Sequence, residues 1–338
     1  MSKSTTYNGD IINGIPVITS LNINDLEYNK SYRFMFEGSS MNTGQHWYVP
    51  VVILRGATNG KSLLINTGIH GDEINGVRVI QKLLPDIDLS KLSGTIIAVL
   101  QASPNSLSHT SKNWSLATDG GDFENMNRAF PGKQNGNSAE NHAYRLWNNL
   151  WLNNVDYMID LHSQSTDTEY PLFVFVDCRN KIANEMAMLI PADQIKDDAG
   201  EKGTVETTFI EHNIPSITIE LGAARIFQDD YINRGITGIK NILSYFDMCS
   251  YEISETAQTQ NTFFGSNMTT IRAKSSGYVE LFVELNEYVK IDQIIAKQYN
   301  AFGDTIAEYK ALEDGAVLSI ATGAMREIGS MLVRILHN

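Results

Sequence analysis

An α/β fold is the expectation for this chain, and three observations lead to it. Continuous apolar runs at residues 62–66, 95–100 and 214–221 alternate with stretches in which apolar side chains recur at a helical period. Such strands, apolar on both faces and separated by helices, belong to a sheet covered on both sides. From about residue 260 the pattern changes to short strands alternating with turns, which predicts a small all-β domain. The polar stretch 254–261 lies between the two patterns, giving expected domains at residues 1–255 and 262–338.

The elements follow in order. Residues 48–55 and 61–67 read as neighbouring strands, with Asn59-Gly60 as the turn signal between them. Residues 74–84 read as a helix, because Ile74, Val77, Ile80 and Leu84 fall near a 3.6 period and Pro85 stops it. After the strand 95–100 comes a long segment, 102–137, rich in Ser, Asn, Gly and Asp; an irregular stretch of that length is functional or disordered. Residues 138–152 read as a helix with Ala143, Leu146, Trp147, Leu150 and Trp151 on its apolar side. Strands at 155–161 and 171–177, a helix near 180–190, a strand at 214–222 and a helix near 229–248 complete the first domain. In the second, Ser276-Gly277-Tyr278-Val279 followed by Val289 resembles Asp314-Gly315-Ala316-Val317 followed by Ile328-Gly329, so two similar units are expected.

Composition narrows the function. The 338 residues are 42% hydrophobic, enough for a sizeable core. A formal net charge of −13 argues against a nucleic acid partner, which needs a basic surface, but not against an anionic small molecule met by a few local cations. Two distant cysteines, Cys178 and Cys249, do not make a disulfide scaffold and fit a reducing cytoplasm. The N-terminal residues lack an apolar signal core. No run approaches the roughly 18–20 apolar residues of a membrane span. A soluble cytoplasmic protein is expected, with a homo-oligomer left open.

Chemistry concentrates in a few motifs. In Ile69-His70-Gly71-Asp72-Glu73 an imidazole and a carboxylate three residues apart can reach one metal ion, where a strand gives way to a helix and Gly68 and Gly71 let the backbone turn. The competing reading is a helix N-terminus with acids in its first turn. His162 follows at another strand end, in Asp160-Leu161-His162-Ser163. His70, Glu73 and His162 together give a three-ligand zinc site with one open position, the pattern of catalytic zinc. Strand alternation puts Asp160 on the same face as His162, where it can orient the imidazole. Glu220 lies in an otherwise apolar strand, where a carboxylate is costly unless it is paired or in a site. It is either a general base beside the metal or a partner of Arg225. Asn127-Arg128 closes the long segment, and an arginine fork with a neighbouring amide suits a substrate carboxylate. His109 and Lys112 lie in the same segment, within reach of the site, while His142 reads as an ordinary helix residue.

His70-Gly71-Asp72-Glu73, Asn127-Arg128, Asp160-Leu161-His162 and Glu220-Leu221-Gly222 occur in the order seen in one family. Over residues 45–250 the chain resembles the succinylglutamate desuccinylase/aspartoacylase family, related to zinc carboxypeptidases. The resemblance implies one zinc per chain held by His70, Glu73 and His162, Glu220 as general base, and Asn127-Arg128 as the clamp on a substrate carboxylate. It also implies a carboxypeptidase-like mixed sheet flanked by helices. Family members commonly carry a further arginine shortly before the Asn-Arg pair, where it stabilises the oxyanion; residues 102–127 contain none. Lys112 or His109 is then the substitute, or zinc acts alone. Residues 268–336 resemble a lipoyl/biotinyl-like β domain, but the hairpin tip 299–304 lacks the carrier lysine, which points to a structural or gating module. The expected function is zinc-dependent hydrolysis of the amide of an N-acyl amino acid or similar small carboxylate-bearing amide. The rivals are a metallocarboxypeptidase acting on short peptides and a non-catalytic carboxylate-binding protein.

Overall fold

The computed structural model describes residues 4–118 and 121–338; residues 119 and 120, inside the long segment read as irregular, lie outside the described residues, as do 1–3. Strands β1 (Thr6–Ile12), β2 (Ile15–Ser20), β3 (Lys30–Ser40), β4 (His46–Arg55), β5 (Thr58–Thr67) and β6 (Ser93–Val99) open the chain, with helix α1 (Asn75–Leu83) between β5 and β6. Helix α2 (Pro104–Ser108), the hairpin β7 (Trp114–Leu116) and β8 (Asp122–Glu124), and helix α3 (Ser138–Arg145) follow. Next come β9 (Tyr157–His162), β10 (Thr168–Val176), α4 (Lys181–Met188), β11 (Gln194–Asp197), α5 (Val205–Glu211), β12 (Ser216–Ala223) and α6 (Asp229–Tyr245). After the short helix α7 (Ala257–Gln260) every element is a strand: β13 (Phe263–Gly265), β14 (Asn267–Arg272), β15 (Gly277–Leu281), β16 (Tyr288–Val289), β17 (Ile294–Tyr299), β18 (Thr305–Lys310), β19 (Gly315–Ala321), β20 (Met325–Arg326) and β21 (Met331–His337).

The centre of the molecule is a mixed sheet in the order β3-β4-β6-β5-β9-β12-β10. β5, β6, β9 and β12 are parallel, while β4 and β10 run antiparallel to their neighbours β6 and β12. Both faces are covered, as continuous apolar strands require. α1, α4 and α6 bury Val79, Ile80, Met186, Ile239 and Ile242 on one side. α3, the turn after it and α5 bury Ala143, Trp147, Trp151 and Phe209 on the other.

The structure corrects several local expectations. β4 and β5 are consecutive but not adjacent, because β6 lies between them: Val51 pairs with Val99, and Leu63 pairs with Ile96. Ile96, Ile97, Ala98 and Val99 have no exposed surface, so β6 needs partners on both edges, and a β4–β5 hairpin would have denied it one. Asn59-Gly60 therefore lies inside β5. The segment 102–137 is not wholly irregular, since α2, the β7–β8 hairpin and a 3-10 turn at Met126–Arg128 order it. The predicted helix 138–152 is α3 followed by a π-helical segment, Leu146–Trp151, which packs its two tryptophans into the core. Cys249 is buried and Cys178 half-buried, both as free thiols.

The C-terminal strands form their own core around Val289, Ile295, Tyr309, Val317 and Val333, and β15, β17, β18 and β20 make a separate antiparallel sheet. They are also joined to the central sheet. Thr168 of β10 pairs with Ala321 of β19, and Glu169 with Ile320, so the hydrogen-bonded order continues from β10 through β19 and β21 to β14. None of the described helices is long and apolar enough to cross a membrane.

Candidate metal centre and substrate pocket

The parallel strands bring their carboxyl ends to one edge, where ligands of α/β sheets bind. Thr67 at the end of β5 pairs with Leu161, and Glu220 of β12 lies opposite His162 of β9. Gly68 has φ +77°, which carries the chain off β5 toward His70 and Glu73 before α1 begins. Gly71 is required for a different reason from the one expected: a Cβ there would stand 2.0 Å from the backbone of Ser106 in α2, so its role is close approach rather than a turn.

His70, Glu73 and His162 are buried together, and their ligating atoms lie within 4.8 Å of one another. Nδ1 of His70 is 2.8 Å from Oε1 of Glu73, and Nδ1 of His162 is 2.8 Å from Oε2. The other ring nitrogens are tied off. Nε2 of His70 is 2.9 Å from Oδ1 of Asn125, and Nε2 of His162 is 2.9 Å from Oδ2 of Asp160, whose Oδ1 accepts from the Asn66 amide at 2.8 Å. With Nε2–H donated outward, each imidazole aims Nδ1 at the common centre, the arrangement by which outer partners orient metal ligands. Burial works against the charge on Glu73, yet the two imidazoles hold it well below the usual carboxylate range. Burial likewise opposes a charge on His162, but Asp160 and Glu73 raise it well above an ordinary histidine. Two imidazole nitrogens, freed of their protons by a bound cation, and a carboxylate oxygen, converging inside a buried pocket, fit a borderline-soft divalent ion such as zinc.

The triad opens into a pocket of about 320 Å³ lined also by Lys112, Asn127, Arg128, Tyr170, Glu220 and Arg334. Oε2 of Glu220 is shielded from solvent and has no hydrogen-bond partner among the described residues. Burial, and then the Glu73 carboxylate, push the Glu220 acid upward; His162, Lys112 and Arg334 pull the other way. Arg225 is not its partner, because that guanidinium donates to the Thr110 carbonyl at 2.7 Å. Asn127 lines the pocket while its Oδ1 accepts from the Val205 amide at 2.9 Å. Arg128 reaches the pocket with its fork already filled: Nε donates to Glu201 Oε1 at 2.8 Å, and Nη2 lies 2.5 Å from Oε2. Lys112 also reaches the pocket and donates to Ser165 Oγ at 2.8 Å. His109 does not line it; its ring is exposed and bonds the Asn105 carbonyl at 2.9 Å.

Sequence reasoning missed several groups here. Asn125 contacts His70 from the residue just before the 3-10 turn. Glu206 of α5 accepts from Thr218 Oγ1 at 2.8 Å, and burial pushes its carboxyl up to about 8. Arg334 comes from the last strand of the chain. Its signal was present, since an arginine in Met331-Leu332-Val333-Arg334-Ile335-Leu336 is as conspicuous as Glu220 in its own apolar strand.

The chain matches known proteins over this same frame. It is 24% identical over 297 residues to the N-alpha-acetyl-L-2,4-diaminobutyric acid deacetylase of Halomonas elongata, covering 85% of each chain. The product-bound ectoine utilization protein EutE (DoeB) of Ruegeria pomeroyi superposes with a TM-score of 0.81 at 17% identity, over 93% of this chain and 97% of that one. A succinylglutamate desuccinylase/aspartoacylase from Rhodobacter sphaeroides gives a TM-score of 0.79 at 16% identity, over 93% and 98%. These structures share the fold: a large central sheet of mixed direction flanked by helices. Residues 59–246, which carry the triad, Asn127, Arg128 and Glu220, match the succinylglutamate desuccinylase/aspartoacylase catalytic domain, and the chain belongs to that family.

Proposed function

We propose that this protein is a zinc-dependent deacylase that hydrolyses the amide of an N-acyl amino acid. The observation that carries the reading is the meeting of four groups in one pocket: the buried His70–Glu73–His162 triad, with Glu220 opposite His162 on the adjacent strand. The deacetylase activity of the Halomonas elongata relative supports the same chemistry. His70, Glu73 and His162 would hold the metal, and Asn125 and Asp160 fix the two imidazoles. A zinc ion held there would supply Lewis-acid polarisation and would acidify a water toward neutrality. Glu220 takes the proton of the attacking water on its unpartnered Oε2 and delivers it to the departing nitrogen. Lys112, from the ordered loop, faces the developing negative oxygen in place of the family's additional arginine. Asn127 and Arg128 bind a substrate carboxylate once it displaces Glu201 from the guanidinium fork.

We place the enzyme in the cytoplasm, on its two free thiols, and divide it into a catalytic domain, 1–255, and a β domain, 262–338. We read the β domain as a lipoyl/biotinyl-like fold without carrier function, since its 299–304 tip has no lysine. The test combines elemental analysis with an activity panel. About one zinc per chain, as a single three-ligand site requires, and release of free amino acid from N-acyl amino acids that stops with chelator and returns with zinc, is the expected result. Cleavage of dipeptides in preference to N-acyl amino acids would make the protein a carboxypeptidase. Absence of metal uptake and of hydrolysis would leave a carboxylate-binding protein.

A further inference from the structure

Arg128 and Arg334 both line the pocket of the triad, and they are partnered differently. Arg128, Arg145, Arg179 and Arg234 each face a carboxylate, Glu201, Glu37, Asp177 and Asp193 respectively. Arg334 forms no ion pair among the described residues. Its Nη1 donates to the hydroxyl of Tyr170, its guanidinium carbon lies 5.9 Å from the centre of that ring, and its Nε is buried without a partner. Tyr170 is buried, and burial pushes its phenol up to about 12, so the hydroxyl stays neutral and offers Arg334 no counter-charge. The side chain lines the same pocket as the triad and Glu220. Its strand is held there by the continuation of the central sheet: Arg334 pairs with Ser319 of β19, whose hydroxyl accepts from Gln164 of the pocket at 3.1 Å.

A guanidinium kept partly out of water with no carboxylate hydrogen-bonded to it is costly, and a bound carboxylate would offset that cost with charge-assisted hydrogen bonds. We propose that Arg334, braced by Tyr170, is a second anion-recognition point of the substrate pocket, supplied by the C-terminal β region and reading a carboxylate in addition to the one taken by Arg128. It binds and positions without moving a proton. The inference rests on the deacylase reading only in taking this pocket as the one that receives substrate.

The test is direct binding, independent of turnover, on the zinc-loaded full-length protein. Glutarate and its monoamide, glutaramate, have nearly the same shape and differ by one negative charge. Calorimetry should find glutarate bound at least about tenfold more tightly, the size of one charge-assisted contact. Arg334→Gln should abolish that preference while leaving glutaramate affinity nearly unchanged, and Arg334→Lys should restore part of it. Thermal melting of both variants establishes that they fold. A glutarate preference that survives Arg334→Gln, or no preference in the unmodified protein, overturns the proposal. So does equal weakening of both ligands, which would make Arg334 a structural residue. Hydrolysis of N-acyl amino acids is measured separately; its absence removes the deacylase reading while the calorimetric comparison still decides the role of Arg334.

Discussion

His142 offers a prediction whose magnitude follows from its surroundings. The ring is completely buried in α3, 4.8 Å from the Trp114 ring. Its Nε2 donates to the Ala102 carbonyl at 2.8 Å, and its Nδ1 accepts the Ser39 amide at 3.2 Å. Protonation would set a donor against that amide. Burial, together with the nearby Arg145 and against the pull of Ala102, brings the imidazole down to about 4. A histidine lowered in the folded state leaves stability intact above its unfolded value of about 6.5 and loses it as pH falls toward the folded value. The difference of about 2.5 units corresponds to a loss of about 3 kcal/mol once both states are protonated. His142→Gln can retain both hydrogen bonds through its amide but cannot take up the proton. Urea denaturation of the two proteins from about pH 7 to about pH 4.5 should give stabilities that converge, or cross in favour of the variant, on acidification. All other titrating groups are shared and cancel in the comparison. Parallel stability–pH curves for the two proteins would refute the reasoning. The bond to Ala102 braces the start of the loop that carries Lys112, Asn125 and Asn127, so activity should fail with the same pH dependence.

Other predictions follow from the pocket. Glu220→Gln should keep bound zinc and lower kcat by about 10²–10⁴, the usual contribution of a general base; normal turnover would remove Glu220 from that role. Asp160→Asn should weaken zinc affinity by about 10–100-fold through loss of the carboxylate behind His162, measured by competition with a chromophoric chelator. Glu201→Gln should free Arg128 and lower KM for carboxylate substrates a few-fold, with little change in kcat; an unchanged or raised KM would show that Arg128 does not meet the carboxylate. Glu206, raised to about 8 by burial, should contribute stability that is fully present below its unfolded value near 4.5 and lost as pH rises through about 8. Glu206→Gln should flatten that decline in urea denaturation measured from about pH 5 to about pH 8.

The residues of the candidate site were legible because chemistry leaves local marks in a chain. His70-Gly71-Asp72-Glu73 and His162 each end an apolar strand, and Glu220 interrupts one; polar groups in such places are too costly to be incidental. Periodicity likewise revealed α1, the strands at the centre of the sheet and the change to all-β structure after residue 260. The N-terminal strands β1, β2 and β3 escaped notice, the first because it lies on the outside of the sheet with almost no buried face to imprint an alternating pattern.

The sequence by itself determined which segments are apolar on both faces and which residues can bind a metal, because those properties reside in single side chains and their spacing. Only the tertiary structure decided that β6 separates β4 from β5, since pairing depends on which edges remain unsatisfied across the whole sheet. It also decided how the cations are used. Arg128 is matched by Glu201, from a loop 73 residues away in the chain, whereas Arg334 is brought from the far end of the chain to the pocket of the triad with no carboxylate in ion-pair contact among the described residues. The charge state and availability of a side chain depend on neighbours that no local window contains.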